Sequence, residues 1–169
     1  GIIVNYGLAN EGATRIYDRL NGRKFRIPLG VSIAKTNDPN IKGGGSVNDY
    51  LEGFKKMQNI GDYTTINISC PNAGDGRSFE APDLLESLLK KINKIRKKKR
   101  ILLKISPDIG KDNLDKIIKL ATKFKINGFI VSNLTKKREG LSDDANLKHK
   151  GGISGRYVRN KSNELIKYI

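Results

Sequence analysis

The chain has 169 residues, 37% of them hydrophobic, with 33 Lys and Arg against 17 Asp and Glu and a formal net charge of +16; that length suits one core and gives no compositional reason to expect a second domain. Its single cysteine, Cys70, excludes an internal disulfide, a cysteine-ligated metal cluster and a CxxC redox pair within the chain. No apolar run approaches the ~18 residues of a membrane span, and the start lacks the basic and long apolar regions of a signal peptide, so the chain reads as soluble and cytoplasmic.

In chain order, Ile2, Ile3 and Val4 make a weak apolar run, either a strand end or a loop entry. Strong β-branched runs follow at residues 27–33, 63–68, 101–105 and 128–132, which read as strands buried on both faces. Between them lie helical patterns. Residues 47–57 carry Leu51, Phe54 and Met57 on one side, and residues 82–95 carry Leu85, Leu88, Leu89, Ile92 and Ile95. A third pattern joins Leu114, Ile117, Ile118, Ala121 and Phe124. Ser46 with Asp49 resembles a capping box, and Pro82 suits a first helical turn. Strands recur every 27 to 38 residues or roughly one βα unit, which predicts a parallel sheet wrapped by helices, either a barrel or an open sheet.

The charge excess is mostly Lys on predicted helices, densest at Lys97, Lys98, Lys99 and Arg100. Basic residues after an apolar-periodic run read as a solvated helix end that suits the macrodipole. A nucleic-acid partner is disfavoured, because there is no Trp, one His, and no basic stripe interleaved with aromatics for base stacking. Gly43, Gly44 and Gly45 follow a polar loop, not a strand, and read as a flexible lead into a helix, not a phosphate loop.

In both candidate folds a ligand site lies at the C-terminal edge of the strands. Each strong strand ends in polar side chains: Ser32 with Lys35, Asn67 with Ser69 and Cys70, Lys104 with Ser106, and Ser132 with Asn133 and Thr135. Polar groups from four consecutive strands at one rim favour a barrel over a Rossmann sheet, which concentrates its signal in one glycine-rich turn. Cys70 sits after a strand and before Pro71, between two asparagines; it is either a small buried residue or a proton acceptor or nucleophile. Lys104 lies inside an apolar strand, where its ammonium needs an anion or a path to solvent.

The ordered series Asn67-Ile68-Ser69-Cys70-Pro71-Asn72 with Gly76-Arg77, Leu103-Lys104-Ile105-Ser106-Pro107-Asp108, Ile130-Val131-Ser132-Asn133 and Gly151-Gly152-Ile153-Ser154-Gly155 resembles the motifs of dihydroorotate dehydrogenases. Tyr6-Gly7 and Leu29-Gly30-Val31 add weaker matches. The resemblance implies a (β/α)₈ TIM barrel, of which residues 1–169 are a single partial domain covering roughly the central half, without the N- and C-terminal barrel strands. It implies oxidation of dihydroorotate to orotate in UMP synthesis, with a base taking the C5 proton and hydride passing from C6 to N5 of FMN. Cys70 matches the base. Asn67, Asn72 and Asn133 match the amides that hold the pyrimidine, with Asn67 also reaching the flavin, and Tyr6 and Asn5 match substrate-side positions. Lys104 matches the lysine at the flavin N1/O2 edge, and Ser132, Ser154, Gly155 and Ser32 match other flavin contacts.

The overall pattern resembles the quinone-using, membrane-associated class, whereas Cys70 is the base of the soluble class. Quinone and fumarate therefore both stand as electron acceptors, and the whole protein is expected to be cytoplasmic or peripheral to the membrane. Ser32 stands where asparagine is common, Asn5 adjoins Tyr6 one residue closer than usual, and Leu134 replaces a threonine. No segment offers the FMN phosphate grip, so the chain alone is expected to bind FMN poorly. Two alternatives are another FMN-dependent barrel oxidoreductase acting on a related pyrimidine and a non-catalytic basic nucleic-acid-binding protein.

Overall fold

A computed structural model describes residues 1–69, 78–141 and 149–169. Four strands, β2 (Gly30–Ile33), β3 (Tyr63–Asn67), β4 (Arg100–Ile105) and β5 (Gly128–Val131), form a parallel sheet in chain order. They alternate with α1 (Gly12–Leu20), which precedes β2, then α2 (Gly44–Met57), α3 (Pro82–Ile95) and α4 (Lys111–Lys123). A separate antiparallel ribbon pairs β1 (Ile2–Val4) with β6 (Gly152–Ser154). A 3₁₀ turn at Gly155–Val158 then leads into α5 (Arg159–Tyr168).

The helices form where the apolar spacing places them. In α3, Pro82 occupies the first turn, and Leu85, Leu88, Leu89 and Ile92 recur at helical spacing and are all buried. Each such side chain contributes on the order of 1.5–3 kcal/mol of burial. The same logic buries Val47, Tyr50, Phe54 and Met57 on α2, and Leu114, Ile117, Leu120 and Ala121 on α4.

Register divides the sheet into two faces. Ile33, Ile66 and Leu103 are laterally aligned and buried with the helices, and α1 packs on α2, α2 on α3, and α3 on α4. The opposite face aligns Ser32 with Thr65, Leu102 and Gly128, and Asn67 with Lys104 and Ile130. Strand order never reverses and successive helices lie side by side, the winding of a barrel; a doubly wound sheet reverses at its switch point.

Several expectations change. Only β3 is buried on both faces, with Thr64 and Ile66 on one and Thr65 and Asn67 on the other; on β4, Ile101, Leu103 and Ile105 are buried, whereas Leu102 and Lys104 on the inner face are half-buried. Ser46 and Asp49 do not form a capping box. The helix starts at Gly44, two residues before Ser46, whose hydroxyl donates to the Ile41 carbonyl, while Asp49 accepts from Thr36 N and Oγ1. The basic run is only partly a solvated helix end. Lys97 and Lys98 are exposed, but Lys99 Nζ donates to the carbonyls of Ile60 and Gly61. Arg96 caps α3 and donates to the carbonyls of Lys99 and Lys125 and to Asn127 Oδ1, its pKa lowered by burial. Helices α1 and α5 and strand β6 have no counterpart in the sequence reading: α1 is short but carries Ala13, Ile16, Tyr17 and Leu20 at helical spacing, packed against the core, whereas α5 is polar on average and only Leu165 packs on the core. Among the described residues, no helix is long and apolar enough to cross a membrane.

Candidate active site

Asn67 ends β3 on the inner face and is buried. Its backbone carbonyl accepts the Tyr50 hydroxyl at 2.7 Å, which ties the strand end to α2. Its side-chain Oδ1 accepts the Ser69 hydroxyl at 2.9 Å. Ser69, also buried, in turn accepts Asn133 Nδ2 at 2.9 Å. Asn133 follows β5 and continues the ladder through its N–H to the Ile105 carbonyl at 2.9 Å. Asn67 and Asn133 are thus brought together from two strands, with one serine hydroxyl between them.

Lys104 lies beside Asn67 in register on β4, between β3 and β5, so it is not an edge-strand lysine reaching solvent. It is half-buried, and its ammonium has no ion-pair or hydrogen-bond partner among the described residues. A cation held on the inner face beside a buried amide is a ready partner for an anionic or carbonyl-rich ligand. Lys35 is not comparable: it is buried, and its ammonium turns into its own loop, to the carbonyls of Thr36 at 2.8 Å and Asp38 at 3.1 Å.

Two carboxylates brace the rim. Asp108, after β4, accepts Thr135 Oγ1 at 2.6 Å, Lys136 N at 2.8 Å and Lys161 Nζ at 3.1 Å. Burial pushes its pKa up, but the bonds from Thr135, Lys136 and Lys161 outweigh that and hold it below its ordinary value. Glu80 accepts the Ser106 N–H at 2.5 Å. Burial raises its pKa to about 7, against the lowering effect of the Ser106 bond and with a further push from the Asp108 charge. Ser78 donates to the Ile68 carbonyl at 3.1 Å, so the segment leading into α3 is tied to the ends of both β3 and β4. Neither Glu80 nor the Asp108 hub was singled out from sequence; the Pro107-Asp108 step was visible, but its partners lie 27 and 53 residues away.

Ser132 shares a 2.7 Å hydrogen bond with Ser162 of α5. Thr135 bridges to Ile153, which joins the end of β5 to the β1–β6 ribbon. The glycines of that ribbon are dictated by close approach. A Cβ on Gly151, at φ +126°, would lie 2.4 Å from the Val4 carbonyl oxygen, and one on Gly152 would lie 2.5 Å from Leu134 Cβ. Ser154 Oγ donates to the Ile2 carbonyl at 3.4 Å, and Gly155 opens the 3₁₀ turn at φ +78°.

The remaining expected residues are not drawn into the Asn67–Ser69–Asn133 network. Ser32 is exposed on the inner face, Tyr6 is 77% exposed, and Asn5 lines a cavity of about 550 Å³ with His149, Lys150 and Tyr157. Cys70 and Asn72, expected as base and ring contact, lie outside the described residues, as do Gly76 and Arg77. Among the described residues no group of His, Cys, Asp and Glu could hold a metal ion.

The sequence profile of the dihydroorotate dehydrogenase family matches residues 1–169. The chain belongs to that family. It is 35% identical over 164 residues to a dihydroorotate dehydrogenase (quinone) of Gloeobacter violaceus, covering 96% of this chain and 45% of the relative. It is 32% identical over 171 residues to the corresponding protein of Thermus thermophilus, covering 99% of this chain and 48% of the relative. The ligand-free DHODH of Eimeria tenella superposes with a TM-score of 0.71 at 25% identity, over 90% of this chain and 47% of that one. The parallel sheet with its one-directional winding is therefore a run of β/α units of the dihydroorotate dehydrogenase (β/α)₈ barrel, and the chain spans about half the length of the relatives it matches. Within that family the C-terminal ends of the strands are where a barrel carries its active site. Those ends hold Asn67, Lys104 and Asn133.

Proposed function

We propose that the gene product containing this chain oxidises dihydroorotate to orotate with bound FMN. The observation that carries this reading is the inner-face grouping of the Asn67 amide donor, the Asn133 amide acceptor and the Lys104 ammonium, none of which has a partner among the described residues. That donor set suits a flavin: Lys104 would hold its N1/O2 edge, and Asn67 and the Ser132 hydroxyl would be further hydrogen-bonding groups. The phosphate end needs donors from outside these residues. When bound, FMN supplies the acceptor for a hydride from the substrate. Cys70 takes the C5 proton on its sulfur, and Asn67, Asn72 and Asn133 orient the pyrimidine so that the carbon bearing that proton meets the base. Lys104 favours a developing negative charge on its side of the site. Ser154 at the end of the ribbon and Gly155 at the start of the 3₁₀ turn would add cofactor contacts.

The relatives named as quinone enzymes favour a quinone as the final acceptor, whereas Cys70 is the feature that keeps fumarate in view. The absorbance spectrum of the complete gene product tests the core of this reading. Flavin bands that bleach on anaerobic addition of dihydroorotate, and return with a quinone but not with fumarate, are expected. No flavin bands, with none restored by added FMN, sinks the assignment; bleaching by a dihydropyrimidine lacking the carboxylate, and not by dihydroorotate, transfers it to a different pyrimidine.

A further inference from the structure

A serine hydroxyl has one proton and can accept at its lone pairs, whereas the two ends of an asparagine amide are chemically opposite. Ser69 donates its proton to Asn67 Oδ1 at 2.9 Å and accepts Asn133 Nδ2 at 2.9 Å. The reverse arrangement, with both amides flipped, would satisfy the hydroxyl equally well. A second contact decides between them: Asn133 Nδ2 also reaches the Ser69 backbone carbonyl at 3.4 Å, and a flipped Asn133 would set its own oxygen against that oxygen. The order of donors and acceptors therefore runs one way, from Asn133 through Ser69 to Asn67. What remains for a ligand is the NH₂ of Asn67 and the carbonyl oxygen of Asn133, neither of which has a partner among the described residues.

We infer that Ser69 is a specificity-determining positioning residue, whose hydroxyl sets the polarity of both amides and so selects a ring presenting a carbonyl to Asn67 and an N–H to Asn133. The inference rests on the dihydroorotate reading for the identity of that ring, a cyclic imide-bearing pyrimidine. Ser69 touches neither reactant in this scheme; it acts through the two amides. Because Ser69 is buried, its loss leaves Asn67 Oδ1 and Asn133 Nδ2 without their mutual link, and each amide becomes free to turn.

The test uses the complete gene product in its flavin-loaded form, with orotate affinity read from the shift of the flavin bands. The probes are orotate and orotates methylated at each ring nitrogen. Wild type is expected to prefer orotate at least tenfold over one methylated form. Ser69→Ala, measured per flavin-loaded molecule, is expected to weaken orotate at least tenfold and to shrink that preference to within about threefold, and Ser69→Thr is expected to restore both. An independent arm compares Asn67→Asp with Asn133→Asp, which add the same charge but remove a ligand-facing donor only at Asn67. Asn67→Asp should weaken orotate at least tenfold more. Ser69→Ala that binds orotate within twofold of wild type with its preference intact, or a reversed ranking of the two Asp variants, overturns the assignment and leaves the dihydroorotate reading standing. A flavin-loaded wild type that ignores orotate overturns both.

Discussion

Glu80 is a carboxylate held half-buried against a backbone N–H, and burial raises its pKa to about 7. Because burial raises this pKa above its ordinary 4.5, the folded state binds the proton more tightly than the unfolded state between those values. Its contribution is therefore most favourable below about pH 4.5 and is lost as pH rises to about 7, by roughly 2–3 kcal/mol. Glu80→Gln keeps an acceptor for Ser106 N and removes the charge. Urea denaturation from pH 4.5 to 8 should show wild type losing stability relative to Glu80→Gln as pH rises, and parallel profiles would mean that Glu80 does not titrate as described. At the same scale, the motif residues Asn67 and Asn133 were legible as candidates, because polar residues ending apolar strands are conspicuous. Ser69 was visible at the rim, but its role was not, since a hydroxyl that orients two amides is distinguished only by its partners.

Helix α5 is weakly amphipathic, buries no residue completely, and was not legible in the sequence for that reason. Apart from Leu165, which packs against the core, what holds it is polar: Lys161 on Asp108, Ser162 on Ser132 and the Tyr168 hydroxyl on Asp115. Asp108 is the shared anchor, since it also satisfies the buried Thr135 hydroxyl and the Lys136 N–H. Asp108→Ala should cost about 2–3 kcal/mol, by leaving a buried donor unmatched and the helix without its ion pair. Hydrogen exchange should rise across α5 and residues 132–136 while α3, whose hold is apolar, stays protected; uniform loosening of the molecule would contradict this division. The depressed pKa of Asp108 makes the anchor's contribution one that is present above its ordinary pKa and fades as pH falls through the lower, folded value.

At the scale of the whole molecule, the β2–β5 sheet has two edge strands and an inner face that is only half covered. Edges of this kind pair with other chains when nothing else covers them. Residues 1–169 expressed alone should therefore sediment as concentration-dependent associated species and take up little FMN, whereas the complete gene product should be discrete and flavin-loaded. A monomeric, cooperatively unfolding and flavin-loaded 169-residue chain would refute the reading of these residues as a part of one barrel. The sheet also explains why the net charge of +16 was a poor guide to function. Its most conspicuous cluster contributes Lys99 to the carbonyls of Ile60 and Gly61 at the N-terminal end of the strands, while Lys104, one lysine inside an apolar strand, stands at the candidate site.

The alternation of β-branched runs with 3.6-period helices, the parallel sheet it demands and the polar residues at the strand ends were all determined by the sequence, because periodicity and side-chain type act locally. Tertiary structure alone decided that β1 pairs antiparallel with β6 rather than joining the sheet, that one face of β4 stays half open, and that Glu80 is driven into a low-dielectric niche. It also decided which ends of Asn67 and Asn133 face outward. That polarity depends on a hydroxyl and a carbonyl of Ser69 meeting a side chain 64 residues away, and no local pattern encodes a contact of that separation.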